Sequence, residues 1–207
     1  VCFHADLEDE NQTVWFSEIQ TNAYGPEESK EIYAVENSMI NDTVVYRALI
    51  PGNEYTLTGI LMDKTTGDAI SDSDGNPVSK SLTFRPGSKD GSVNVVFEAD
   101  LSALAGHTLI VFETLSCDDD IIAEHKDMND QSQTVTLPKI WTLAHGEDGS
   151  SEILADKQIT IIDTVMYENL IRGKTYTVYG TLIDKLSGQP IRDRSGELVF
   201  AENQFTA

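Results

Sequence analysis

Two stretches of this sequence carry the same polar residues in the same order. His125-Lys126-Asp127, Asp130 and Gln133-Thr134-Val135 repeat His4-Ala5-Asp6, Asp9 and Gln12-Thr13-Val14 at an offset of 121 residues. A base, two carboxylates and a carboxamide in one short tract suggest either metal binding or acid–base chemistry at the amide. The metal reading is the weaker, because a single His with carboxylates and no Cys or second His fits no strong ligand spacing. Asp72-Ser73-Asp74-Gly75-Asn76 looks like a calcium loop but lacks the alternating acids and distal Glu of one. Its counterpart Asp193-Arg194-Ser195-Gly196 keeps the turn glycine and loses the second acid, so a hairpin turn is expected there. No metal and no cofactor are expected.

The offset recurs elsewhere. Asp42–Gly67 and Asp163–Gly188 are identical at 14 of 26 positions, including Asp-Thr-Val, both tyrosines and Leu-x-Asp-Lys. Self-similarity at a fixed period marks a tandem array. The units are 1–17, the C-terminal strand of a preceding repeat; 18–138, one complete repeat; and 139–207, the N-terminal part of a following repeat that stops before its own His and Gln. His4 and Gln12 therefore lack their Thr, and Thr142 and Asp163 lack their His and Gln, so neither flanking segment is expected to complete the chemistry alone. A unit of this size buries a core without a disulfide framework. Cys2 and Cys117 fall in different units and are not expected to pair. With 35 acidic against 14 basic residues and a net charge of −21, the chain is unsuited to nucleic acid or anionic membrane. It has no apolar run long enough to insert in a membrane and no signal-peptide pattern.

Short segments rich in β-branched and aromatic residues, such as 53–62, 92–97 and 107–112, alternate with Pro-Gly, Thr-Gly and Asp-Gly turns, which indicates an all-β sandwich. Ala99 to Leu104 is at most a helical turn. Alternation along the strands sorts the polar residues by face. Thr21 shares a face with Ile19 and Ala23, and Thr142 repeats this between Ile140 and Ala144. Asp42 shares a face with Val44 and Tyr46, Gln133 with Val135 and Leu137, and Glu113 with Leu109 and Val111. A buried carboxylate is costly unless it is paired, hydrogen-bonded or neutralised, so these inward groups are expected to meet.

These residues resemble the VaFE-type, or T-Q ester-bond, repeats of Gram-positive surface proteins. The resemblance rests on Ile19-Gln20-Thr21, Asp42-Thr43-Val44, Val111-Phe112-Glu113 and the His125 to Val135 tract, and it extends over the whole chain. It implies tandem immunoglobulin-like (CnaB-like) sandwiches in which a Thr hydroxyl near the start attacks a Gln side chain near the end. Ammonia leaves and an intramolecular ester remains. The residues carried over are Thr21 and Gln133. A related family joins Lys to Asn, but the inward position on this first strand is Thr21, with no lysine beside it.

An alcohol is a weak nucleophile and a carboxamide a poor electrophile, so the step requires a base, carbonyl polarisation and fixed placement. His125 is expected to take the Thr21 proton and pass it to the departing nitrogen, with Asp42 orienting the imidazole. Glu113, kept protonated by burial, is expected to donate to the Gln133 carbonyl oxygen, with Glu98 as the substitute. Asp127, Asp130 and Thr134 are read as turn and strand residues that set the approach of Gln133.

The chain is thus expected to be a stalk repeat of an extracellular, cell-wall-anchored adhesin or pilus-like protein. It is expected to perform a single-turnover cross-link and not to be a turnover enzyme. Neighbouring repeats would be its partners, with a host ligand bound through another domain. The alternatives are a ligand-binding adhesin module without a cross-link and a Lys-Asn isopeptide domain. Anchoring comes from the resemblance alone, since Leu137-Pro138-Lys139-Ile140-Trp141 lacks the Thr-Gly of a sortase signal.

Overall fold

The computed structural model describes residue 6, residues 8–154 and residues 158–207; Cys2 and His4 lie outside the described residues. Among the described residues the regular structure is β-strand apart from three short 3₁₀ turns, and the chain divides into two compact units, residues 1–137 and 138–207.

The first unit is a sandwich of two antiparallel sheets. One holds β1 (Glu18–Tyr24), β2 (Ser38–Arg47) and β5 (Gly91–Ala99) in the order β1-β2-β5. The other runs β4 (Ser79–Phe84), β3 (Tyr55–Asp63), β6 (Thr108–Cys117) and β7 (Asp120–His125), with β8 (Thr134–Thr136) also on β6. The strict alternation of buried and open positions along β1 and β3 follows from their sequences, because period-2 spacing of Ile19, Thr21 and Ala23, or of Leu57, Gly59 and Leu61, puts each set on one face. The inner faces close over Ile40, Val44, Leu57, Leu61, Val95, Phe97, Leu109, Val111 and Leu115, all at most 2% exposed.

Two features of this sandwich bear on the site. β6 is paired with β3 along one edge, while its other edge is shared: Glu113 to Cys117 pair with β7, and Thr108 to Ile110 pair with β8. Residues 126–132 leave the sheet between these two pairings, and the chain re-enters through the Val111 N–H to Gln133 C=O bond of 3.0 Å. In the opposite sheet, Thr21 pairs with Val44 and Asp42 with Ala23, which makes Thr21 and Asp42 diagonal neighbours on the inner face.

The Asp72 stretch is a hairpin turn. Asp72 Oδ1 accepts the backbone N–H groups of Asp74 and Asn76, each at 2.9 Å, and Gly75 takes the positive φ of 83° that the turn requires. The helical hint is a 3₁₀ turn, Ser102–Leu104. Cys117 is a free thiol.

The second unit, described by itself, repeats β1 to β4 as β9 (Lys139–Gly146), β10 (Ile161–Glu168), β11 (Thr175–Thr181) and β12 (Phe200–Thr206). The register is the same at the 121-residue offset: Thr142 pairs with Val165 and Asp163 with Ala144. Small details recur as well, such as the tyrosine hydroxyl that accepts a backbone N–H, Tyr55 from Ile50 at 2.9 Å and Tyr176 from Ile171 at 2.8 Å. Among the described residues of this unit there are no counterparts of β5 to β8, and Ile140, Tyr167, Thr142 and Asp163 are exposed.

Leu115 is fully buried at the centre of the first unit's core. Leu115→Ala should lower the unfolding free energy of that unit by about 2–5 kcal/mol, the usual cost of such a cavity. Denaturant unfolding followed by tryptophan fluorescence or circular dichroism measures it.

Candidate functional site

Thr21, Asp42, Glu113 and Gln133 come together inside the first unit, at 4%, 0%, 0% and 0% exposure, and His125 closes the group from the sheet edge. Glu113 lies directly across from Gly59 on one side and His125 on the other, and facing residues in an antiparallel pair project to the same side. Gly59 has no side chain for a physical reason: a Cβ there would stand 2.3 Å from Glu113 Oε1 and 2.6 Å from Phe97 Cζ. The missing methyl is the space that the acid occupies.

The two acids share an apolar enclosure. Burial and then the neighbouring Asp42 charge push the Glu113 carboxyl up to about 9. Burial also raises Asp42, to about 6, against the opposing pull of Glu113, Lys30, Thr21 and the Asn22 amide. At neutral pH the pair therefore holds one proton, on Glu113, which donates towards Asp42. Thr21 Oγ1 and all four carboxyl oxygens lack a partner of regular hydrogen-bond geometry. Their polar neighbours are mainly one another, crowded rather than aligned.

Gln133 is held by backbone alone. Its Nε2 donates to Val111 O at 2.7 Å and to His125 O at 2.9 Å, and its Oε1 accepts the Asp127 N–H at 3.3 Å. Because both carbonyls can only accept, the amide orientation is fixed. The side chain fills the gap between β7 and β8 by taking the carbonyl bonds that a ladder strand would take. His125 touches both prospective reactants: its carbonyl receives Gln133, and its Nδ1 accepts the Thr21 backbone N–H at 3.1 Å. An amide can only donate, so the proton of the neutral ring sits on Nε2, which meets Asp130 Oδ2 at 3.0 Å. Partial burial pulls Asp130 up, but the Ser132 hydroxyl and amide and the His125 ring outweigh it and hold the carboxyl below its ordinary range.

The expected residues thus meet, with three changes of partner. Asp130 and not Asp42 contacts the imidazole, because Asp42 points from β2 into the core while the ring lies at the sheet edge. Glu113 faces Asp42, and the group next to the Gln133 carbonyl oxygen is the Asp127 amide. Glu98 is exposed on β5, paired with Met39, and does not join the cluster. Gln12 is exposed in a 3₁₀ turn, Glu10–Gln12. The residue that sequence reading missed is Lys30, whose ammonium donates to Asn22 Oδ1, Ala23 O and Ser132 O; in Glu-Glu-Ser-Lys-Glu it reads as a solvated charge, and only the long-range contact distinguishes it. Above Thr21, a solvent-open cleft of about 640 Å³ is lined by Tyr24, Thr43, His125, Asp130 and Ser132.

The family described as "T-Q ester bond containing domain" matches residues 17–137 and again residues 138–207. Among solved structures, a bacterial adhesin from Mobiluncus mulieris, described as containing intramolecular disulfide, isopeptide and ester bond cross-links, is similar in two crystal forms. The P21 form has a TM-score of 0.51 and 13% identity, covering 92% of this chain and 76% of that one. The P1 form has a TM-score of 0.52 and 13% identity, covering 92% and 77%. At that identity the likeness is one of fold. No curated protein matches the chain.

The shared proton makes a stability prediction. In a Thr21→Ala chain, which cannot form a covalent link through that hydroxyl, the folded pair keeps protons that the unfolded chain releases above the ordinary values of 3.8 and 4.5. Stability should be greatest below those values and fall as pH rises towards about 9, by at most about 1.4 kcal/mol per pH unit for each proton. Adding Glu113→Gln should flatten the upper part of that decline in urea titrations across pH. Gly59→Ala should displace the Glu113 carboxyl and lower the unfolding midpoint, by about 1–3 kcal/mol in an overpacked interior.

Proposed function

We propose, from the premise that this chain belongs to the T-Q ester bond containing domain family, that its complete unit joins Thr21 to Gln133 in an autocatalytic intramolecular ester. The observation that carries this is the enclosure of a hydroxyl, a backbone-clamped carboxamide and a one-proton acid pair in a single buried cluster.

The reaction forms one bond and breaks one. Thr21 Oγ attacks Gln133 Cδ, the Cδ–Nε2 bond breaks, and the hydroxyl proton leaves with the nitrogen as ammonia. Both imidazole nitrogens of His125 are engaged, with the Thr21 amide and with Asp130, so Asp42 is the group placed to receive the Thr21 proton. The acid pair then returns a proton to the departing nitrogen, which restores its starting count. The Asp127 N–H is the donor on the carbonyl oxygen as negative charge builds there. His125 serves by holding the Thr21 backbone with its ring and the Gln133 amide with its carbonyl, the fixed placement that turns two poor reactants into an intramolecular pair. Each domain reacts once, so this is not a turnover enzyme.

The link spans 112 residues, from near the start of the unit to near its end. Tension entering at β1 and leaving after β8 would run through the ester instead of the strands between. Closing a loop of that length also stabilises, by about 4–5 kcal/mol on the loop-entropy reasoning used for disulfides. A load-resisting role suits a stalk repeat of a cell-wall-anchored surface adhesin. The fold shared with the Mobiluncus mulieris adhesin supports that reading, as does an acidic surface that avoids nucleic acid and anionic membrane.

Ester formation expels ammonia, so intact mass should lie about 17 Da below the sequence mass, with one loss and not two. Thr21→Ala and Gln133→Ala should restore full mass and lower the melting temperature. Asp42→Asn should leave a folded domain at full mass, and tandem mass spectrometry of the wild type should find the Thr21 and Gln133 peptides joined until mild alkali or hydroxylamine separates them. A wild-type chain at full mass would sink the proposal.

A further inference from the structure

Lys30 follows the 3₁₀ turn Pro26–Glu28 that carries the chain from β1 towards β2. Its side chain turns back over β1 and is half-buried there. The ammonium has three N–H donors and three oxygen acceptors around it: Asn22 Oδ1 at 3.0 Å, Ser132 O at 2.6 Å and Ala23 O. Ala23 is two residues from Thr21, and Ser132 immediately precedes Gln133. The Ser132 carbonyl also accepts the Ala23 N–H at 2.9 Å. The Lys30 backbone is tied in as well, since its carbonyl accepts the Thr136 N–H at 2.8 Å. No other cation bridges these two tracts among the described residues.

We propose that Lys30 is a positioning residue for the Thr21–Gln133 reaction, its ammonium fastening the Ala23 carbonyl, two residues after Thr21, and the Ser132 carbonyl, next to Gln133, into one corner. This rests on the cross-link reading and adds to it a residue that the acid–base chemistry does not require. β1 lies in one sheet, and β7 and β8, which flank the tract before Gln133, lie in the other, so no ladder pairing sets Gln133 against Thr21. Among the described residues the polar bridges between β1 and this side are His125, the single Ala23–Ser132 backbone bond and Lys30. The side-chain part of the clamp is particular to this unit. The glycine turn before it recurs, with Gly25 N–H to Ser29 O at 2.7 Å and Gly146 N–H to Ser150 O at 2.8 Å, but Ser151 and Leu143 replace Lys30 and Asn22 in the second unit.

The charge acts in the same place. Asp42 from β2 and Asp130 from the loop after β7 are the ionised groups facing the ammonium, with Glu113 behind the first and His125 paired to the second. A cation there favours the anionic form of both acids, and Asp42 is the proposed proton acceptor. Loss of Lys30 should therefore both slow the reaction and move its rising limb to higher pH, whereas a role in stability alone would leave the limb in place.

The test uses the full chain, recovered unfolded in urea from inclusion bodies, refolded at a series of pH values and sampled by intact mass. Lys30→Met keeps the stem and removes charge and donors. It should slow the loss of ammonia about tenfold or more, because misplaced reactants forfeit effective concentration, and shift the half-maximal pH upward by about half a unit or more. Lys30→Arg should keep the pH profile and recover most of the rate. Asn22→Leu alters an exposed position, leaves the fold intact and should slow the reaction about threefold by removing one acceptor. Leu49→Ala, a core change past the far end of β2 from Asp42, supplies the stability control. Lys30→Met reacting no more slowly than Leu49→Ala, with an unshifted profile, would overturn the inference while the cross-link reading stands; a wild type that loses no ammonia would overturn both.

Discussion

Two carboxyl groups buried against each other, with no regular hydrogen-bond partner, set the terms for the rest of this domain. Asp42 and Glu113 are fully enclosed, and an interior cannot hold both as anions. Holding one proton between them is the way out, and it yields an acid and a base side by side at neutral pH. Such a pair has no regular place in a sandwich core, where apolar residues of similar volume would pack at lower cost. The surrounding leucines, valines and Phe97 keep water out and so keep the two ionisations apart. The glycine at position 59 belongs to the same constraint, since any side chain there would take the space of the Glu113 carboxyl.

The second constraint is an interrupted sheet edge. An unbroken strand along β6 would satisfy its carbonyls with backbone amides and leave no opening for a glutamine. Splitting that edge between β7 and β8 frees the carbonyls of Val111 and His125, and the Gln133 side chain takes them. The carboxamide is thus held as if it were part of the ladder, by backbone bonds on both its nitrogen and its oxygen. In the proposed reaction the departing nitrogen is the atom that makes those two bonds, so its loss would give up the contacts that positioned it.

His125 illustrates how one residue comes to serve several ends. Lying opposite Glu113 at the edge of the sheet, it reaches β1 with its ring, Gln133 with its carbonyl and Asp130 with its second nitrogen. The pattern resembles a catalytic triad in composition while differing in connection: the imidazole is anchored between an amide and a carboxylate, and the hydroxyl lies with the buried acids.

The sequence by itself determined the repeat, the all-β class and the inward direction of Thr21, Asp42, Glu113 and Gln133. These follow from local rules, since period-2 alternation assigns each strand residue to a face and a fixed 121-residue offset shows which tracts correspond. It did not determine the strands Ser79–Phe84 and Asp120–His125, whose faces are mostly open and whose alternation is weak. Nor did it determine which inward group meets which. Asp130 at the imidazole, Glu113 against Asp42, the Asp127 amide on the Gln133 oxygen and Lys30 across two sheets are contacts between residues far apart in the chain or across a loop. Alternation gives a face but not a partner, and only the packing of one sheet on the other, with the β6 edge split between β7 and β8, decided those pairings.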